Sequence, residues 1–485
     1  MNETGVFALE IIQHDRWPPD TAEIQALIRV TATPGDHPGD GLTAAGLAEI
    51  IIMDCSGSMG KPPGKLRAAK RAAHAAVDTM RDGVEFAVLS GRSRAEAVYP
   101  HGPALALSAP DTRDAAKRAI DRLYPNDGTK ISSWLRQAHR LLRPYPRHIR
   151  HAMLYTDGQN HDLQDGRLDQ VLDACRGVFT CDARGIGDQW EPRDLRKIVT
   201  VLQGRADGLP DPADLEDDFR VVMREAMRKV VPSVALRIRT RPGVSVREIR
   251  QMYPADADLT GHGTAADTTA TDFWIGSWSD ETRDYMVRLG VAPGDFAIGK
   301  EVRLARVDVT VPGPDGPRIL PGPGFIVACW TRDDLSMRTW LPSDTYVSQQ
   351  AAGDAITAGC HAWLGGDAAG AAAAWGEAAR LASAANDAER LGVLQSLVQI
   401  VDAGAGRVRL RDDLSRAVVL QAEARAPTSS FVPDQDPRPR DRPTAGAGTP
   451  PVCPGCGRTS PLGARFCERC GRRLDEAGPD RDGTA

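Results

Sequence analysis

Apolar and polar positions change period several times along the chain, and each change marks a change of element. Ile50-Ile51-Ile52-Met53 is an unbroken apolar run, too short for a helix core and of the kind found in a strand buried on both faces. Comparable runs lie at residues 84–89, 151–156 and 178–186. Between them, apolar residues recur at spacings of three and four over residues 65–80, 112–123, 131–142, 168–176 and 215–230, which predicts amphipathic helices. Residues 183–188 followed by 195–198 close the series with a further strand and helix. Strand and helix in regular alternation predict a doubly wound, Rossmann-like α/β domain over residues 46–232.

The flanks carry a different pattern. Two-residue alternation and β-branched content mark residues 26–32 before this domain and 234–240, 303–311 and 324–331 after it. A strand cannot bury its apolar face alone, so residues 1–45 are expected to fold with 233–343 as a β-sandwich into which the α/β domain is inserted. Trp274 and Trp278 belong to its core. Residues 344–426 are alanine-rich, with breaks at Gly365-Gly366, Asn386-Asp387 and Gly404-Ala405-Gly406, and predict four helices in a small bundle. Residues 427–450 are rich in proline among Ser, Asp, Arg and Gly and predict a flexible linker before a last module at 451–475.

The candidate chemistry sits on loops at strand ends. Asp54-Cys55-Ser56-Gly57-Ser58 follows the first apolar run directly, Gly128-Thr129 precedes a helix, and Thr156-Asp157-Gly158 ends a strand. Carboxylates of Asp54 and Asp157 with hydroxyls of Ser56, Ser58 and Thr129 offer only oxygen, which suits a hard cation. The three segments resemble the metal-ion-dependent adhesion site of the von Willebrand factor A domain family. That resemblance implies Mg2+, with Mn2+ or Ca2+ as substitutes, bound directly by the Ser and Thr residues and largely through water by the Asp residues. It also implies one open position, filled by an acidic residue of a partner protein. Cys55 stands at a variable position of the motif and is expected to be a buried packing residue.

A second motif, Cys453-x2-Cys456-x10-Cys467-x2-Cys470, has a glycine after each second cysteine and looks like a zinc ribbon. Four thiolates make a closed, structural Zn2+ site, and two such pairs so close together argue against redox chemistry. Its positive charge is modest and Phe466 is its only aromatic residue, so protein contact is favoured over nucleic acid. A formal net charge of -5 supplies no general attraction to nucleic acid or anionic membrane. No apolar run is long enough to span a bilayer, and the amino end lacks a signal pattern, so a cytoplasmic location is expected. Nine cysteines there are expected to be thiols or metal ligands. Abundant arginine and alanine suggest a GC-rich bacterial source.

These features point to a non-catalytic, metal-dependent interaction protein of a bacterial signalling, stress or assembly system. The family includes adaptors of ring ATPases; with no G-x-x-x-x-G-K-[ST] loop here, any ATPase would be a separate chain. The alternatives are a metal-dependent hydrolase, for which no nucleophile with an adjacent base is evident, and nucleic-acid binding through the ribbon.

Overall fold

The computed structural model describes residues 7–33, 46–61, 64–160, 167–292, 294, 296–313, 316–332, 342–433, 452–457 and 474. It divides into two units, Met1–Pro433 and Asp434–Ala485. The first begins with strands β1 (Phe7–Gln13), β2 (Arg16–Trp17) and β3 (Glu23–Ala32). Next come β4 (Leu47–Asp54), β5 (Glu85–Gly91), β6 (Glu96–Tyr99), β7 (Ala106–Leu107), β8 (Ile149–Thr156), β9 (Thr180–Ile186) and β10 (Ala206–Leu209). These form one sheet in the order β10-β9-β8-β4-β5-β6, with β7 also on β5. Its first five strands are parallel, while β6 and β7 run antiparallel.

Helices α1 (Lys65–Thr79), α2 (Pro110–Asp121) and α6 (Leu215–Arg228) close one apolar core with the sheet. On the other face, α3 (Ile131–Leu142), α4 (Arg167–Cys175) and α5 (Pro192–Leu202) close a second. Both faces of β4 are therefore covered, and all eight of its residues are buried. Chain progression reverses between β4 and β8: β5 is added on one side, β9 and β10 on the other. A parallel sheet opens a crevice at such a reversal, beyond the carboxyl ends of the strands.

Strands β11 (Ala235–Thr240) to β19 (Gly324–Trp330) follow the α/β sheet. Among them, β12 (Ser245–Tyr253), β13 (Ala257–Asp258) and β16 (Glu281–Gly290) form a five-stranded sheet with β1 and β3. β3 pairs antiparallel with β16 from Ala32↔Glu281 to Glu23↔Gly290. β14 (Gly263–Ala265), β15 (Ala270–Trp274), β17 (Glu301–Gly313) and β18 (Gly316–Ile319) join β11, β19 and β2 in a seven-stranded sheet. Ile24, Ile28 and Val30 on one sheet and Leu236, Ile238 and Val307 on the other meet in a single core. Trp278 is wholly buried there, edge-on to Phe7, while Trp274 is half-buried and donates its ring N–H to Ser233 Oγ at 3.0 Å.

Beyond the sheets lie α7 (Pro342–Leu364), α8 (Ala368–Ala384), α9 (Ala388–Leu397) and α10 (Arg416–Arg425), packed around Ile356, Trp375, Leu394 and Val419. The break at Gly404-Ala405-Gly406 is not a helix–helix loop. It lies in the turn between β20 (Val398–Asp402) and β21 (Arg407–Leu410), because β-branched Val398, Ile400 and Val401 favour a hairpin once α9 ends. The helices also do not stand apart from the α/β sheet: Leu420 and Ala424 of α10 enter its second core, and Gln421 donates to Gly208 O at 2.8 Å.

Residues 427–432 depart from the expected linker. Thr428 bridges Ala255, Val432 N–H donates to Tyr346 Oη at 3.1 Å, and Arg29 donates to Val432 O at 2.7 Å. Arg29 also grips Asp284 at 2.9 and 2.7 Å. Val432 completes a small apolar cluster with Leu27, Met252, Met286 and Tyr346, and that burial holds the proline-bearing segment in place. Residues 434–451 lie outside the described residues.

Candidate metal centre

All three predicted loops lie at the crevice between β4 and β8. Asp54 is the last residue of β4, Ser56 and Ser58 belong to the turn that follows, and Asp157 comes directly after β8. Met53 and Tyr155 are register partners, so the parallel pairing brings the two carboxylate-bearing loops side by side. Thr129 lies two residues before α3, and its loop is tied to the first by Gly57 N–H to Asp127 O at 2.9 Å and Asn126 N–H to Cys55 O at 2.8 Å.

The side chains form one connected network. Ser56 N–H donates to Asp54 Oδ1 at 2.7 Å, and Thr156 Oγ1 donates to Asp54 Oδ2 at 2.6 Å. Ser56 Oγ and Ser58 Oγ are 2.9 Å apart, and Ser58 Oγ donates to Asp157 Oδ1 at 2.6 Å. Asp54, Ser56, Thr129 and Asp157 are all buried. Burial, reinforced by the nearby Asp157 carboxylate, pushes Asp54 up to about 6, against the opposing pull of its hydrogen bonds from Ser56 and Thr156.

Gly158 reveals the space these groups enclose. A Cβ at that position would lie 3.0 Å from Thr129 Oγ1, 3.3 Å from Ser58 Oγ and 3.9 Å from Asp54 Oδ2. Hydroxyl and carboxylate oxygens of the first two loops thus face a spot on the third that only glycine leaves open. The donor set fits a hard divalent cation, with the hydroxyls as neutral ligands and the carboxylates as charge.

Three features of the site were not foreseen from sequence. Lys65, the first residue of α1, is buried and places Nζ 2.6 Å from Asp157 Oδ2. Thr156 locks Asp54, and Asn160 Oδ1 accepts Ile131 N–H at 3.2 Å, tying the third loop to the start of α3. Asn160, three residues beyond Asp157, carried a weak signal; Lys65 carried none, because a lysine opening a helix is ordinarily solvated. Cys55 is buried, and burial beside Asp54 pushes its thiol up to about 12, leaving it inert.

In the second unit, Cys453 and Cys456 flank a tight turn. Gly455 N–H donates to Cys453 Sγ at 3.4 Å, Gly457 N–H donates to Cys453 O at 2.9 Å, and Gly457 has φ +71°, where a side chain would be strained. Cys467 and Cys470 lie outside the described residues.

A family model for the von Willebrand factor type A domain matches residues 48–207. The solved structure of a von Willebrand factor type A protein from Catenulispora acidiphila is 34% identical, with a TM-score of 0.79, over 89% of this chain and 99% of that one. The chain belongs to the von Willebrand factor type A family. The ArnB paralog VWA2 from Sulfolobus acidocaldarius shares the fold at 14% identity and a TM-score of 0.51, over 87% of this chain and 97% of that one. No curated protein matches the chain. Domains of this family commonly mediate interactions between proteins, and among the described residues no helix is long and apolar enough to cross a membrane.

Proposed function

We propose that the chain is a non-catalytic, cytoplasmic interaction protein in which Asp54, Ser56, Ser58, Thr129 and Asp157 hold Mg2+ or Mn2+, and the metal accepts a carboxylate from a partner protein. The observation that carries this reading is the space at Gly158, faced by Thr129 Oγ1, Ser58 Oγ and Asp54 Oδ2 at 3.0 to 3.9 Å, with Asp157 joined to the same network through Ser58. Charge supports it as well. Two buried carboxylates, the Lys65 ammonium and a dication leave the centre one positive charge in excess, which an outside carboxylate neutralises. With Cys55 inert, the thiol nearest the centre supplies no nucleophile. The turn at Cys453 and Cys456 supports a structural Zn2+ completed by Cys467 and Cys470, and the partner is an ATPase or signalling protein encoded separately.

Magnesium titration by calorimetry, on wild type and Thr129→Ala, tests the metal; capture of acidic partners with and without chelator tests the function. Tight, chelator-sensitive binding that weakens about tenfold or more in Thr129→Ala is expected. Equal metal affinity in both proteins would overturn the assignment.

A further inference from the structure

A cavity of about 850 Å³ opens beside this centre along the outer face of α3. Arg94, Lys130, Arg136, Arg140 and Arg143 line it, and among its described lining residues there is no carboxylate. The construction follows from helix periodicity. Trp134, Leu135, Ala138, Leu141 and Leu142 are buried against the sheet, which leaves Arg136, Arg140 and Arg143, at i, i+4 and i+7, on the opposite face. The other wall is the segment after β5, pinned to α3 where Ser133 Oγ accepts Ala95 N–H at 2.9 Å and Arg92 O accepts Trp134 Nε1–H at 2.5 Å.

The helix dipole accounts for only two of these five cations. Arg140 and Arg143 lie at the carboxyl end of α3, where the helix dipole favours cations. Lys130 lies at its amino end, where the dipole opposes one, and Arg94 is on the facing loop. Among the described residues none of these five cations makes an ion pair; Arg140 only donates to Gln137 Oε1 at 2.7 Å. In a chain of net charge -5, a groove lined by five cations with no ion pair among the described residues is a local inversion of sign. It also adjoins the metal centre. Lys130 follows Thr129 directly, and Ser93, on the groove wall, hydrogen-bonds Asp127 and Gly128 at 2.8 and 3.3 Å.

We propose that this groove binds an acidic peptide segment of the partner, whose Asp and Glu side chains pair with Lys130, Arg136 and Arg140 while one carboxylate reaches the metal. The inference rests on the reading of the metal as the point of capture and names the chemistry flanking it. Guanidinium forks match carboxylates in a bidentate way, and the volume suits a short segment, not a folded domain. Nucleic acid fits less well, because no Phe, Tyr or Trp lines the groove to stack on bases.

The test uses the full chain with magnesium and a fluorescent peptide rich in Asp and Glu, about eight residues long and so roughly 26 Å extended. Its Asn/Gln counterpart and a single-stranded oligonucleotide serve as competitors. Arg136→Glu with Arg140→Glu, both exposed positions, is expected to weaken peptide binding about tenfold or more while leaving thermal stability and magnesium affinity unchanged. The Asn/Gln peptide is expected not to compete. Chelator-sensitive binding that the charge reversals leave intact would overturn the groove while the metal reading stood. Binding lost on charge reversal but indifferent to chelator would support the groove and remove the metal from it. Preferential binding of the oligonucleotide would overturn the proposal.

Discussion

Lys65 shows how a single side chain sets the balance of the centre. Its ammonium and Asp157 are 5% and 0% exposed, so removing one partner leaves the other charged and dry. Lys65→Met is therefore expected to destabilise the metal-free protein by about 3–5 kcal/mol. Magnesium should restore much of that loss, since a dication can replace the ammonium beside Asp157, and magnesium affinity should rise with one positive charge fewer nearby. Denaturant unfolding with magnesium or with chelator checks both; equal destabilisation under the two conditions would mean that the ion pair and the metal do not share the carboxylate. Gly158 makes the complementary point, for its role is to be absent from the space that Thr129, Ser58 and Asp54 face.

Adjacent elements carry a second buried charge cluster at the opposite end of the same strands. Glu49 on β4, His151 on β8 and Asp182 on β9 lie side by side, with His151 Nδ1 2.8 Å from Glu49 Oε2 and Nε2 3.2 Å from Asp182 Oδ2. Burial lowers the affinity of His151 for its proton, but the two carboxylates outweigh it and raise the group to about 10. A histidine raised on folding contributes stability in full below its unfolded value near 6.5, and that contribution is lost as pH climbs through about 10. Unfolding free energy should fall between pH 6.5 and 10 in wild type and stay flatter in His151→Gln; parallel profiles would show that His151 is neutral in the fold. The edge strand β10 is closed by α10, whose Leu420 is 1% exposed, so Leu420→Ala is expected to cost about 2–5 kcal/mol by thermal unfolding. If the helical region were an independent bundle, the α/β domain would keep its stability in that variant.

Across the whole molecule, zinc and magnesium are expected to act on different units. Cys453→Ser should release zinc and lose the turn held by the Cys453 Sγ and O acceptors, yet leave the main unfolding transition and magnesium affinity unchanged. Zinc analysis beside calorimetric scans reads this; a lowered main transition would show that the two units are energetically coupled.

The continuous apolar runs of β4 and β8 and the three-four periodicity of α1 and α3 were legible in the sequence because both are local patterns set by burial. The three loops that meet beyond β4 and β8 were legible too, since each follows or precedes an element whose local pattern marks its end. What the chain could not reveal lies in pairings far apart along it. The Lys65–Asp157 ion pair, the seating of residues 427–432 against Met252 and Tyr346, and the docking of α10 on β10 depend on surfaces that exist only after folding. The hairpin at 398–410 escaped the pattern for the same reason: an alanine-rich context predicted helix, and Val398, which is fully buried beside Leu397, packs where only the assembled helices give it a partner. Sequence thus determined which residues could meet a metal or fill a core, and tertiary structure decided which charges were left facing each other and which were left facing a groove.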